Sequence, residues 1–268
     1  MRTDTRTNLD ADTLAMLRGS LTEVLTEHST VPLADRLAAL GWSEVLDADA
    51  ATALRTLFEI KGETGSAADA LGPALADRFA ALTGATGISS VELAEGGASV
   101  RVTRADGSTG DETVAPEVWT ALETAGRWLV ACELVGIGRH VVASAVDYTK
   151  DRVQYGKPIG VFQALQHRLA SAHALVVGAG HLVTEAGYDG TAWSAMVAKC
   201  MAGQAAEFAC TQAQQCYGAI GFTIEHEFPG YLRRTYALDR EFGDWRTLEH
   251  EIGSQLQATG SVPRIGSL

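Results

Sequence analysis

Aromatic residues are scarce in this chain: Phe, Tyr and Trp make up 7% of 268 residues, while 46% are hydrophobic. Ala, Leu and Val must therefore fill the core, and at this length there is material for one large domain or two small ones. Cations are also in short supply. Lys and Arg number 21 against 33 Asp and Glu, a formal net charge of −12, which argues against nucleic acid or an anionic membrane as the main partner. A polyanionic ligand would need a local basic patch. The four cysteines, Cys132, Cys200, Cys210 and Cys216, have neither C-x-x-C spacing nor a disulfide framework. Three of them sit in apolar helical runs and read as small buried hydrophobes, leaving no metal site to propose. No stretch approaches the ~20 uninterrupted apolar residues of a membrane span, and the opening MRTDTRTNLDADT is polar without a hydrophobic leader, so a cytoplasmic address is expected.

What is present is helical periodicity. Leu14, Leu17, Leu21 and Leu25 recur at three- and four-residue steps within 9–29, and Pro32 opens a second helix carrying Leu33, Leu37 and Leu40 that ends at Gly41-Trp42. Trp42 reads as core. A third helical stretch, 48–60, breaks near the small residues 62–66 and resumes through 67–83. Between 85 and 115 the character changes: Ile88, Val91, Leu93, Val100 and Val102 sit among Gly96-Gly97 and Asp106-Gly107, the pattern of two or three short strands with hairpin turns. From Glu117 onward the chain is helical again. Val118, Leu122, Ala125, Leu129, Cys132 and Gly136 trace one apolar face, and Gly136, Gly138, Ala143 and Ala145 permit close helix packing. Helices to about Asp151, from Val161 to Gly187, from Thr191 to Tyr217 and from Phe228 to Leu256 predict a four-helix bundle.

Two stretches joining these helices concentrate ligand-gripping residues. DRVQYGKPIGVFQALQHRLA, from Asp151 to Ala170, supplies Arg152, Gln154, Tyr155, Gln163, Gln166 and His167; QQCYGAIGFTIEHEFPGYLRR, from Gln214 to Arg234, sets Gln215 before Gly218-Ala219-Ile220-Gly221. Arginine, amides and glycines that admit close backbone N–H groups suit an anionic ligand. His167 reads as a packing residue rather than a catalyst.

These two motifs, at their spacing, resemble the C-terminal helical domain of the acyl-CoA dehydrogenases. The resemblance is specific over about 117–250 and weaker over 30–84, where L-x-x-L-G-W-x-E-V-L also fits. It implies a mainly α fold: an N-terminal helical domain (1–84), a reduced middle β segment (85–115) where relatives carry a β-barrel of about a hundred residues, and a C-terminal four-helix-bundle domain (116–268). Thirty residues cannot close a barrel. The T-E-P-x-A-G-S-D run and tryptophan strand that cover the flavin ring in relatives are absent too.

In the family, a carboxylate removes the α-proton of the thioester while the β-hydride passes to FAD. The two places where relatives carry that glutamate align with Gly243 and with the neighbourhood of Gly126, both glycine here. Asp244 and Glu241 are the nearest substitutes as a catalytic base, with Glu123 and Glu133 behind them; each has a plain reading as an ion-pair or surface carboxylate. What the resemblance retains is the grip on the ADP–pyrophosphate part of FAD across a subunit boundary: Arg152, Tyr155, Gln215, Gly218 and Gly221, with Gln163 beside them, and with Ala219 replacing a usual glycine.

The expectation is therefore the small subunit of a heteromeric acyl-CoA dehydrogenase of the bacterial steroid side-chain-degrading type, an α2β2 heterotetramer. FAD would be shared with a full-length partner that carries barrel and base, a bulky acyl-CoA would be the substrate, and an electron-transfer flavoprotein or equivalent would accept electrons. Alternatives are a non-redox scaffold or ligand-binding subunit on the same fold, and a self-sufficient dehydrogenase using Asp244 or Glu241.

Overall fold

The computed structural model describes residues 9–94 and 97–263; Gly96 and the first eight residues of the polar N-terminal stretch lie outside them. Helix α1 (Ala11–Thr26) starts where the Asp10 carboxylate accepts the Thr13 N–H, and it buries Leu21, Val24 and Leu25. The short α2 (Leu33–Ala38) leads to α3 (Trp42–Thr64), which begins earlier than the sequence predicts and carries a kink at Asp49. Trp42 packs against the main core. Gly65 and Gly84 close α3 and α4 (Leu71–Thr83) with left-handed φ values of 65° and 73°, a conformation that glycine adopts without a Cβ penalty.

Strands β1 (Ile88–Leu93), β2 (Ser99–Arg104) and β3 (Thr109–Thr113) form an antiparallel meander. Val91, Val100 and Val102 face Leu75 and Phe79 of α4 and Leu122 in a small separate core. Three strands have two open edges and close nothing, so the reduced middle segment is a flap on the helices rather than a barrel.

The rest is helical: α5 (Pro116–Asp151), α6 (Gln163–Asp189), α7 (Ala192–Tyr217), α8 (Phe228–Arg240) and α9 (Trp245–Thr259). Two features expected from the sequence need correction. The fourth bundle helix is two helices, because Phe242 and Gly243 take φ values of 58° and 100° and no α-helix continues through that region. And α5 does not show one apolar face: residues 129–138 are buried without a gap, since α3, α6, α7 and α8 surround it. By length and composition α5 could cross a membrane, but its apolar window is mostly buried inside the protein.

The crossing of α3 and α5 is unusually tight. A Cβ added at Gly62 would lie 2.1 Å from the Glu133 carbonyl oxygen, and one at Gly136 would lie 2.0 Å from that of Glu59. Backbone meets backbone there, and neither side can yield. Gly136→Ala should therefore cost about 3 kcal/mol or more in denaturant unfolding. Gly178→Ala is the control: Gly178 is exposed in α6, and a Cβ added there would meet nothing within 4 Å, so the substitution should gain about 0.5–1 kcal/mol.

Candidate functional site

The up-and-down course of the bundle places the end of α5, the start of α6 and the end of α7 together, and with them both ligand-gripping stretches. Between α5 and α6, β4 (Val153–Gln154) and β5 (Lys157–Pro158) pair as a two-residue hairpin. Its central residues Tyr155 and Gly156 have φ values of 54° and 76°, the geometry of a primed hairpin turn. Tyr155 is thereby thrown outward and is 91% exposed, its ring edge-on to Phe162, which also lies under the Lys157 ammonium.

Side chains beneath tie the stretches to one another. Tyr217 donates to Ser144 Oγ at 3.0 Å and its ring meets that of Tyr148, joining the end of α7 to the last turns of α5. Arg168 donates to Gln212 Oε1 at 2.9 Å, joining α6 to α7. On this frame Arg152, Tyr155, Gln163, Gln215 and Gly218 are exposed, whereas Gly221 is buried. Gly218 sits at φ 61° with nothing within 4 Å of its missing side chain, and Gly221 is closed in by Gln214 and Tyr217. His167 is exposed, not packed; it lies on the outer face of the first turns of α6.

Gln214 carries no sequence signal that sets it apart from Gln215, yet its Nε2 is buried and lacks a hydrogen-bond partner. The folded chain alone leaves this donor unmatched beside the glycine turn. With one guanidinium, exposed amides and an open glycine backbone, this end fits the phosphate part of a dinucleotide. Beside it, between the last turns of α5 and the start of α6, lies a cleft of about 970 Å³ whose walls include Val142, Val146, Val161, Leu165 and Leu169.

The candidate bases lie at the other end of the bundle. Asp244 is the N-cap of α9: its carboxylate accepts the N–H groups of Arg246 and Thr247, both at 3.1 Å, and the Thr247 hydroxyl at 2.7 Å. Those Thr247 and backbone bonds hold its pKa below the ordinary aspartate value, the opposite of what a base working near neutral pH needs. Glu241 is exposed beside a cleft of about 500 Å³ that also contains Glu123, Arg127 and Trp119. Glu123 pairs with Arg127 at 3.0 Å.

Glu133 is deeply buried and accepts from Lys61 Nζ and Arg234 Nε, each at 2.8 Å. Arg234 is thus committed to Glu133. Desolvation pushes the Lys61 pKa down, and the Glu133 charge pulls it back. A second buried lysine, Lys199, stands in an otherwise apolar run and donates to the carbonyls of Asp239 at 2.9 Å and Gly243 at 3.1 Å, fixing the turn between α8 and α9. Among the described residues no group of three or more metal-ligating side chains converges, and all four cysteines are buried and free.

Residues 119–244 match the acyl-CoA dehydrogenase C-terminal domain. Over that stretch, just under half of the chain, the sequence is similar to that domain. Acyl-CoA dehydrogenase IpdE2 of Mycobacterium tuberculosis is 35% identical over 108 residues, covering 40% of this chain and 34% of the relative, so the match spans about a third of that protein's length. Among solved structures, a variant of the Tcur3481-Tcur3483 steroid ACAD superposes with a TM-score of 0.74 over 93% of this chain and 99% of the other at 17% identity. The ChsE4-ChsE5 complex from Mycobacterium tuberculosis gives 0.71 over 96% and 100% at 16% identity. At those identities the likeness establishes the fold: helical domains around a small sheet, as in acyl-CoA dehydrogenases.

Two substitutions separate structural from catalytic roles in this domain. Asp244→Ala should lower stability by about 1 kcal/mol, and Asp244→Asn by much less, because an amide oxygen still caps the helix. Glu133→Ala should cost about 3–5 kcal/mol, since it strands Lys61 in the interior. Both are read from urea midpoints.

Proposed function

We propose that this chain is the non-catalytic subunit of a heteromeric, FAD-dependent acyl-CoA dehydrogenase acting on a bulky acyl-CoA, of which a steroid side chain is the favoured class. One observation carries the reading: the ligand-gripping residues of the domain point out of the molecule. Arg152, Gln215 and Gly218 are all exposed, and so, close by in the chain, are Val153 at 52%, Phe222 at 75% and Ile224 at 99%. An exposed guanidinium and amide accompanied by exposed apolar side chains suit a half-site that a second protein surface completes. The names of the structural neighbours, a steroid ACAD of two components and the ChsE4-ChsE5 complex, support the heteromeric reading.

FAD, when bound, supplies the hydride acceptor for α,β-dehydrogenation of the thioester. This chain's part is binding. The Arg152 guanidinium can take two phosphate oxygens at once, the exposed Gln215 amide can donate as well, and Gly218 has no side chain to hinder an approaching phosphate. The small sheet offers no enclosure for the flavin ring and Asp244 is occupied as a cap, so ring and base are assigned to the partner, a full-length subunit that passes electrons to an electron-transfer flavoprotein or an equivalent acceptor.

Arg152→Ala, co-expressed with that partner, should leave the complex assembled and its FAD content lowered at least tenfold after gel filtration, with Arg152→Lys intermediate because a point charge replaces a bidentate fork. Full flavin occupancy in the Arg152→Ala complex would contradict the assignment. A complex free of flavin with wild-type Arg152 would favour the scaffold reading.

A further inference from the structure

Phe242 is a non-glycine residue in the left-handed region, at φ 58°, where a bulky side chain stays only if its surroundings hold it. They do so from two directions. Arg127 Nε, on α5, donates to the Phe242 carbonyl at 3.1 Å. On the other side Lys199, wholly buried, donates to the carbonyls of Gly243 and Asp239. This backbone turns the phenyl ring inward onto Gly126 of α5. A Cβ at Gly126 would lie 2.4, 2.7 and 2.8 Å from three atoms of the ring, so ring and glycine are matched as filler and gap. Phe242 packs against both the main core and the small core under the sheet, and it also lines the cleft of about 500 Å³ beside Glu241.

We propose that Phe242 is a plug: its ring closes the inner end of that cleft, and the Arg127 and Lys199 hydrogen bonds keep it closed. The space over Gly126 behind the ring then takes neither an acyl group nor a planar ring, and the chain acts through its Arg152 end. This deepens the half-site reading and rests on it for its functional meaning, but the plug is a property of the chain alone.

The test is a thermal-melting cycle on the full chain with Gly126→Ala, Phe242→Gly and the double variant, with indole as a probe of the opened space. In the wild-type background Gly126→Ala should lower the melting temperature by on the order of 5 °C, because the locked ring cannot yield. In the Phe242→Gly background the same change should cost little or nothing. Phe242→Gly should melt higher than Phe242→Ala, since glycine tolerates the left-handed backbone, and it should be stabilised by millimolar indole where the wild type is not. If Gly126→Ala costs the same in both backgrounds, or indole stabilises neither variant nor wild type, the ring does not close the cleft. Phe242→Leu, which keeps an apolar filler, serves as the second background should Phe242→Gly fail to fold, and there the cost of Gly126→Ala should fall by about half. Flavin content of the assembled complex is a separate readout, so the plug and the half-site reading fail independently.

Discussion

The structure depends on the backbone contact between α3 and α5 at Gly62 and Gly136. With any side chain at either glycine the helices would have to separate, and everything that uses their closeness would separate with them. The contact brings Lys61 within 2.8 Å of Glu133 and sets Glu59 2.6 Å from Arg139. It thereby joins the N-terminal helices to the bundle by one buried ion pair and one that is partly exposed. A buried pair of this kind adds little to stability over well-packed apolar residues, yet losing one member is costly, so it fixes which helices meet and in which register. With α5 gripped by α3 on one side and by α6 and α7 on others, its two ends are free to carry different tasks.

Those ends contrast in build. At the Phe242 end the chain closes on itself: two buried or partly buried cations pin a strained turn, a ring fills the gap over a glycine, and Asp244 commits its carboxylate to capping α9. At the Arg152 end the chain is left open, with a tight hairpin projecting Tyr155, a glycine turn with free space around Gly218, and a buried Gln214 donor lacking a partner. In a protein of net charge −12, an exposed arginine and amides at an open end suit the meeting of an anion there.

Much of this is legible in the sequence, for physical reasons. Helices α5, α6 and α7 announce themselves by length and apolar content, and their ends by Gly190 and the hairpin motif. The strands are legible as short apolar alternations between glycine turns, and the shortness of that segment already excludes a barrel. The break at Phe242 is not legible, because nothing in R-E-F-G-D-W marks a phenylalanine for the left-handed region; only the tertiary hydrogen bonds from Arg127 and Lys199 put it there. Lys199 itself does leave a signal, a lone lysine in V-A-K-C-M-A-G, a run too apolar for a surface face. The single apolar face traced along α5 is an underestimate, since periodicity cannot tell a helix that is buried on every side from one that is amphipathic when alanine and glycine fill the remaining positions. Gln214 is hidden beside Gln215 because sequence does not say which of two adjacent amides turns inward.

The central claim, that this chain is half of a shared flavin site, is tested most directly by purifying it alone and together with a full-length acyl-CoA dehydrogenase subunit, and recording the visible spectrum and native mass of each. A colourless chain alone and a yellow mixed complex with one FAD for each pair of unlike subunits are expected. Stoichiometric flavin on the chain alone would contradict it.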